Sequence, residues 1–251
     1  MLQYRALWGN LDHILKGLCP NVKPGSNLVS ILPMAHMYGL AVEFLFGFIN
    51  GCHIFFLNRL PSPSLIAEAF AEVKPRLIVA VPLVIEKIIR RKVLAQVQTN
   101  RMKLLLNMPV ISKKIKMHIR DRIMEAFGGN AYEIIVGGAP LSLGIEKFLN
   151  SVGVPITIGY GTTETAPLIT FVNYDKYKIA SCGPVVSHME VKILSDDPEN
   201  IPGELVTRGM NVMLGYYKNE EATNQVIDKD GWFHTGDLAT MAPSGHIYIK
   251  G

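Results

Sequence analysis

The run Val154-Pro-Ile-Thr-Ile-Gly-Tyr-Gly-Thr-Thr-Glu-Thr-Ala-Pro167 decides how this chain of 251 residues is read. It opens on an apolar, β-branched segment, 154–158, with the length and composition of a buried strand. Gly159 and Gly161 then flank Tyr160, and Thr162, Thr163, Glu164 and Thr165 follow. Glycine lets a backbone approach a ligand closely. Threonine hydroxyls and free backbone N–H groups can hold phosphate oxygens. Glu164 is a hard oxygen ligand of the kind Mg2+ accepts beside substrate phosphates. Tyr160 offers a flat face on which a base can lie. The same run also fits a tight turn closed by threonine side chains. It is neither a Walker loop nor a GxGxxG fingerprint, because no lysine and no third glycine follow.

Upstream, continuous apolar runs at 28–32, 53–57, 76–81 and 133–136 alternate with helical patterns at 1–17, 38–51, 61–74, 83–97, 107–127 and 142–149. Ser62 or Ser64 and Ser142 stand where helix N-caps belong, and Gly128-Gly129-Asn130 where a helix stops. Strands apolar throughout predict a parallel sheet buried on both faces. Ligands bind at the carboxyl ends of such strands, where His36, Pro82, Gly137 and Tyr160 fall. After Ile169 the texture changes to short strands at 191–194, 204–208, 213–217, 238–241 and 246–249, with turns at Pro202-Gly203, Asp230-Gly231 and Ser244-Gly245. A short helix at 219–226 interrupts them. The expected fold is α/β: a parallel sheet covered by helices on both faces, followed by a smaller antiparallel β barrel-like unit. The expected division is 1–172 and 173–251.

Composition excludes several classes. Cys19, Cys52 and Cys182 lack CxxC spacing, which argues against a disulfide framework or a zinc site and fits a reducing compartment. The most apolar stretch, 37–49, contains Glu43 and is too short to span a bilayer. Net charge is +4, but between Lys87 and Arg122 eleven Lys or Arg residues stand against one acid, Asp121. Leu104, Leu105, Leu106, Met108, Ile111, Ile115, Ile119 and Ile123 interleave with them. That pattern fits a core-facing stripe with a solvated basic face. It also fits weak contact with an anionic membrane.

Four stretches stand in order: Leu32-Pro-Met-Ala-His-Met-Tyr-Gly39, Gly137-Gly-Ala-Pro140, Gly159-Tyr-Gly-Thr-Thr-Glu164, and Trp232-Phe-His-Thr-Gly-Asp-Leu238 preceded by Gly203-Glu-Leu-Val-Thr-Arg-Gly209. Together, in this order and spacing, they resemble the adenylate-forming superfamily of acyl-CoA synthetases, adenylation domains and luciferases, over essentially the whole chain. The resemblance implies that adenine lies against Gly138, Ala139 and Pro140, with Tyr160 on its other side. Gly161, Thr162 and Thr163 complete the nucleotide-binding set, Thr163 contacting the α-phosphate. Glu164 matches the Mg2+ ligand, and Asp237 the carboxylate that holds the ribose hydroxyls. His36 matches a residue beside the pocket for the substrate carboxylate, so Glu164, Thr163 and His36 are the catalytic candidates. Each has a structural alternative: Asp237 as a turn cap, His36 as a core histidine, Gly137-Gly138 as an ordinary strand-to-helix turn. His53, His188, His234 and His246 read as structural, and Trp232 as packing.

The implied reaction joins a carboxylic acid to the α-phosphorus of ATP, giving acyl-AMP and pyrophosphate. Coenzyme A then displaces AMP. The helical insertion at 84–127 resembles long-chain fatty acyl-CoA synthetases, and Leu40, Leu141, Ala166, Pro167, Leu168 and Ile169 suit an apolar acid. The expected substrates are fatty acid, ATP and coenzyme A with Mg2+, and not nucleic acid. The expected location is the cytoplasm, with peripheral membrane contact through 87–122. The family's phosphate loop with its lysine, its hinge arginine and its C-terminal lid with a catalytic lysine have no match here, so the chain reads as a central piece expected to be inactive alone. The rivals are an adenylating enzyme for aryl or amino acids, and a non-catalytic AMP- or ATP-binding protein of the same fold.

Overall fold

The computed structural model describes residues 1–90 and 109–251. Five strands, β1 (Asn27–Ser30), β2 (His53–Phe56), β3 (Leu77–Ala80), β4 (Glu133–Val136) and β5 (Ile156–Ile158), form one parallel sheet in the order β2-β1-β3-β4-β5. Successive residues of a strand point to opposite faces. Here both faces are apolar cores. Val29, Ile78, Ala80, Ile134 and Val136 enter one, with Ile66, Phe70, Ile85, Ile123 and Phe127. Leu28, Leu77, Val79 and Ile135 enter the other, with Leu11, Ile14, Leu18, Tyr38 and Phe46. This is why β3 and β4 read as unbroken apolar runs.

The first core is covered by α3 (Pro63–Val73), α4 (Pro82–Ile89), α5 (Pro109–Ala126) and α6 (Leu143–Ser151). The second is covered by α1 (Tyr4–Leu18) and by a π-helical turn, Gly39–Leu45, that runs into α2 (Phe46–Ile49). Ser62 caps α3 by accepting from Leu65 N at 3.2 Å. Ser142 stands at the N-cap of α6 but its hydroxyl makes no capping bond. Gly128 and Gly129 both take positive φ, +89° and +78°, where the chain leaves α5. The expected buried helix at 38–51 is buried only in part. Phe48 is 70% exposed and Phe44 stacks on it, beside exposed Phe55 and Phe56 of edge strand β2.

In α5, Ile119 and Ile123 are buried and Ile115 packs against them, so this part of the basic run turns its apolar stripe to the core. Leu104, Leu105, Leu106 and Met108 lie outside the described residues. Among the described residues no helix is long and apolar enough to cross a membrane.

Past β5, β6 (Tyr160–Gly161) and β7 (Leu168–Thr170) pair as a short antiparallel ribbon. An antiparallel sheet follows in the order β11-β10-β9-β8: β8 (Met189–Leu194), β9 (Gly203–Gly209), β10 (Phe233–Met241) and β11 (Ile247–Ile249). Ile169, Ile193, Leu205, Ala239 and Ile247 form its core, while Met189, Val212, Met213 and Phe233 join the core beneath α1. The strand expected at 213–217 is absent; the segment is a turn whose Leu214 N and Gly215 O pair with Met1. Its helix, α7 (Glu220–Val226), is capped by Asn219, which accepts from Ala222 N at 3.0 Å.

Candidate functional site

The carboxyl ends of β1, β4 and β5 open into one cleft of about 210 Å³. Its rim carries His36, Gly137, Gly138, Tyr160, Gly161, Thr162 and Thr163, and its floor Ile14, Tyr38, Val42, Leu168 and Phe171.

The β5 loop is the most heavily tied part of the rim. Gly161 stands where an added Cβ would collide with the Pro167 carbonyl, so only glycine fits. Thr165, fully buried, is the hub of the turn that follows. Its hydroxyl donates to Pro167 O at 2.7 Å and accepts from Thr162 N at 3.1 Å. From α1, buried Asn10 donates to Thr165 O at 3.1 Å and accepts from Leu168 N at 2.7 Å. Thr162 and Thr163 line the cleft from this loop, the Thr162 hydroxyl lying 3.3 Å from that of Thr165.

The β4 loop is shaped by absence of bulk. Gly137 is buried beneath the Tyr38 ring, which an added Cβ would meet at 3.1 Å. Gly138 has φ +81° and is exposed, as are Ala139 and Pro140. The β1 loop is held from below by Glu43, 1% exposed, whose carboxylate accepts from Ser30 Oγ, Ile31 N and Leu32 N at 3.0, 3.2 and 3.1 Å. Burial pushes that carboxyl up to about 7. His36 is exposed, so the core-histidine alternative fails; its Nδ1 accepts from Tyr38 N at 3.2 Å, and among the described residues Nε2 has no hydrogen-bond partner.

Asp237 reaches the site from the antiparallel sheet. β10 bulges between His234 and Leu238, with Gly236 at φ +75°, and Glu204 fixes the bulge by binding His234 Nδ1 and Gly236 N. Asp237 Oδ2 accepts from Tyr160 Oη at 2.5 Å. Burial first, then this carboxylate, hold the Tyr160 phenol well above its ordinary value. Glu164 sits next to the rim rather than in it. Its Oε1 accepts from Tyr216 Oη at 2.9 Å, and its backbone carbonyl from Met213 N at 2.8 Å.

The structure thus brings His36, Gly138, Tyr160, Gly161, Thr162 and Thr163 to one cleft. Asp237 is joined to it through Tyr160, Glu164 by its place beside Thr163, and Ala139 and Pro140 as the continuation of the glycine turn. Of the apolar residues read from the sequence as suiting an acyl chain, Pro167 and Leu168 line the cleft. Leu141 and Ile169 instead fill the first core and the antiparallel sheet. Trp232 is buried, with Lys192 Nζ 4.1 Å and Arg208 Cζ 4.7 Å from its ring centroid, a packing role. His188, His234 and His246 bond to Asp12, Glu204 and the Lys176 carbonyl, whereas His53 is exposed.

A glycine- and threonine-rimmed cleft at the carboxyl end of a doubly covered parallel sheet is the architecture of a nucleotide-binding α/β protein. The model of the AMP-binding enzyme family matches residues 1–217, and the chain belongs to that family. It is 28% identical to long-chain-fatty-acid–CoA ligase 1 of Saccharomyces cerevisiae, over 88% of this chain and 35% of that protein. It is 30% identical to the long-chain-fatty-acid–CoA ligase of Escherichia coli O157:H7, over 99% of this chain and 40% of that protein. The o-succinylbenzoate coenzyme A synthetase of Bacillus subtilis, solved with ATP and a magnesium ion, superposes with a TM-score of 0.74 at 21% identity, over 99% of this chain and 46% of that one. At that identity the likeness shows the fold. The chain spans less than half the length of each of these relatives.

Proposed function

We propose that this chain carries the nucleotide and acyl cleft of an ATP-dependent long-chain fatty acid–CoA ligase. The acid's carboxylate oxygen bonds to the α-phosphorus of ATP and pyrophosphate leaves; the thiol of coenzyme A then takes the acyl group and AMP leaves. The supporting observation is the cleft's two-part lining: a rim of glycines and threonines with His36 and Tyr160, above an apolar floor with no Asp, Glu, Lys or Arg among the described residues. Such a floor offers nothing to an amino group or a second carboxylate, which disfavours amino-acid substrates. The names of the yeast and E. coli relatives support the same choice of acid.

Gly138, Ala139 and Pro140 would take one face of adenine and Tyr160 the other. Asp237, its Oδ1 free of hydrogen bonds to the described residues, would accept from the ribose hydroxyls. Gly161, Thr162 and Thr163 would receive phosphate oxygens, and His36 Nε2–H the acid's carboxylate. Among the described residues Glu164 Oε2 has no hydrogen-bond partner, and no group of three or more His, Cys, Asp or Glu side chains comes together. A single carboxylate fits Mg2+, which fills its shell with phosphate and water oxygens. When bound there it would neutralise charge developing on the phosphates. Catalysis by these residues is positioning and electrostatics, with no enzyme nucleophile.

Calorimetric titration with AMP and with non-hydrolysable palmitoyl-, benzoyl- and alanyl-adenylate analogues tests the reading. The palmitoyl analogue should bind at least about tenfold more tightly than AMP, since burying even two or three methylenes is worth that much. Preference for the alanyl or benzoyl analogue would make the enzyme one for other acids; equal affinity for all four would leave a nucleotide-binding protein. The proposal includes a cytoplasmic location with residues 87–122 near membrane, where the basic face of α5 is the part left for lipid. Sedimentation with anionic and neutral vesicles checks it.

A further inference from the structure

We infer that Tyr216 is a positioning residue for the divalent cation of the nucleotide complex: its hydroxyl fixes the Glu164 carboxylate so that one oxygen alone faces the metal. The inference rests on the proposed role of Glu164. Tyr216 Oη lies 2.9 Å from Glu164 Oε1, and Met213 N, from the same segment, holds the Glu164 carbonyl at 2.8 Å. Glu164 is therefore gripped at both its backbone and its side chain by one stretch of chain, 52 residues away in sequence.

That stretch is itself built. Tyr216 N donates to Thr223 Oγ1 at 2.9 Å, and Thr223 Oγ1 donates to Asn219 O at 2.8 Å, tying the tyrosine to the first turns of α7. Gly215, at φ +142°, leaves no room for a Cβ against Thr223. Met1 pairs with Leu214 and Gly215 from the other side. The neighbouring Tyr217 is the internal contrast. It is 70% exposed, with the Lys218 ammonium 5.3 Å from its ring. Two adjacent tyrosines thus divide between site and surface.

The consequence is geometric. A carboxylate whose Oε1 is engaged cannot spin freely, so Oε2 would be the oxygen presented to a cation. Partners of a ligating carboxylate typically change metal affinity by about 10–100-fold when removed.

The test uses Mn2+ as the probe for Mg2+. Dissociation constants of Mn2+·ATP are read from water proton relaxation, and those of metal-free AMP by calorimetry in EDTA. Tyr216→Phe, which keeps the ring, should weaken Mn2+·ATP about tenfold and leave metal-free AMP unchanged. Tyr217→Phe should change neither. Glu164→Ala should weaken Mn2+·ATP at least as much as Tyr216→Phe. If Glu164→Ala weakens Mn2+·ATP and Tyr216→Phe does not, the inference falls and the reading of Glu164 stands. If Tyr216→Phe weakens AMP as much as Mn2+·ATP, its role is structural and the inference falls. If Glu164→Ala binds like the unaltered chain, or that chain does not bind Mn2+·ATP, the metal role of Glu164 falls with it.

Discussion

Gly137–Pro140 and Gly159–Pro167 leave adjacent parallel strands at the same end of the sheet, yet they are held by different means. The β5 loop is stapled by Asn10, Thr162, Thr165, Tyr216 and Asp237. Among the described residues no side-chain hydrogen bond reaches Gly138, Ala139 or Pro140; that turn is set by backbone conformation over the Tyr38 ring. One rim is fixed by hydrogen bonds that exclude alternatives, the other by lacking side chains. If so, the two loops should answer differently to the same small change.

The largest effect is expected at Gly161→Ala. The added methyl meets the Pro167 carbonyl, backbone that has no rotamer to yield. Overpacking of this kind costs about 3 kcal/mol. Urea unfolding should show that loss, and a change under about 1 kcal/mol would mean the β5 loop is looser than its bonds imply.

Asn10→Ala should cost about 2 kcal/mol, because it leaves Leu168 N and Thr165 O buried without partners. Hydrogen exchange adds a local readout: the Leu168 amide should lose protection while amides of β3 keep theirs. Uniform loss across the sheet would mean that Asn10 supports the whole fold rather than this loop.

The His36 loop makes a third case, held by one buried acid. Glu43 has its carboxyl raised from 4.5 to about 7 in the folded chain. An acid raised by folding keeps its proton in the folded state after the unfolded chain has lost it. Its contribution is therefore whole below pH 4.5, declines as pH rises to about 7, and is flat above. The decline is on the order of 2 kcal/mol, at about 1.4 kcal/mol per pH unit less relaxation. Glu133, raised to about 8 by burial at the other end of the sheet, adds a decline of the same sign. The difference between the unaltered chain and Glu43→Gln isolates Glu43: the variant's stability should fall less between pH 5 and 8. Parallel curves would show that folding does not raise the Glu43 carboxyl.

What was legible in the sequence follows from these same physical contrasts. The parallel sheet announced itself because its strands feed two cores, so neither face needed polar residues. The β5 loop was legible as chemistry because glycines and threonines crowd into one turn. Tyr216 was not: with Met213, Leu214 and a second tyrosine around it, the segment has strand composition, and only the tertiary contact to Glu164 turns it into a site wall. Asn10 left a trace, a polar residue among the buried positions 6, 11, 14 and 18 of α1. Its meaning needed the 158-residue contact to Leu168. Glu43 left a similar one, as the lone acid in an apolar stretch.

The smallest expected effect decides whether the contrast between the loops is real. Gly138 has φ +81°, a region that costs a side chain about 1 kcal/mol. Space is not the obstacle, since an added Cβ would meet only Val81 Cγ1, at 3.7 Å. Gly138→Ala should therefore lower stability by about 1 kcal/mol, roughly a third of the loss at Gly161→Ala. Its effect on AMP binding should exceed its effect on stability, because the methyl is added at an exposed residue of the rim. Unfolding and AMP titration on the one variant measure both. Equal losses of stability at Gly138→Ala and Gly161→Ala would mean that both turns are packed rather than one packed and one merely bent, and the distinction between the two rims would dissolve.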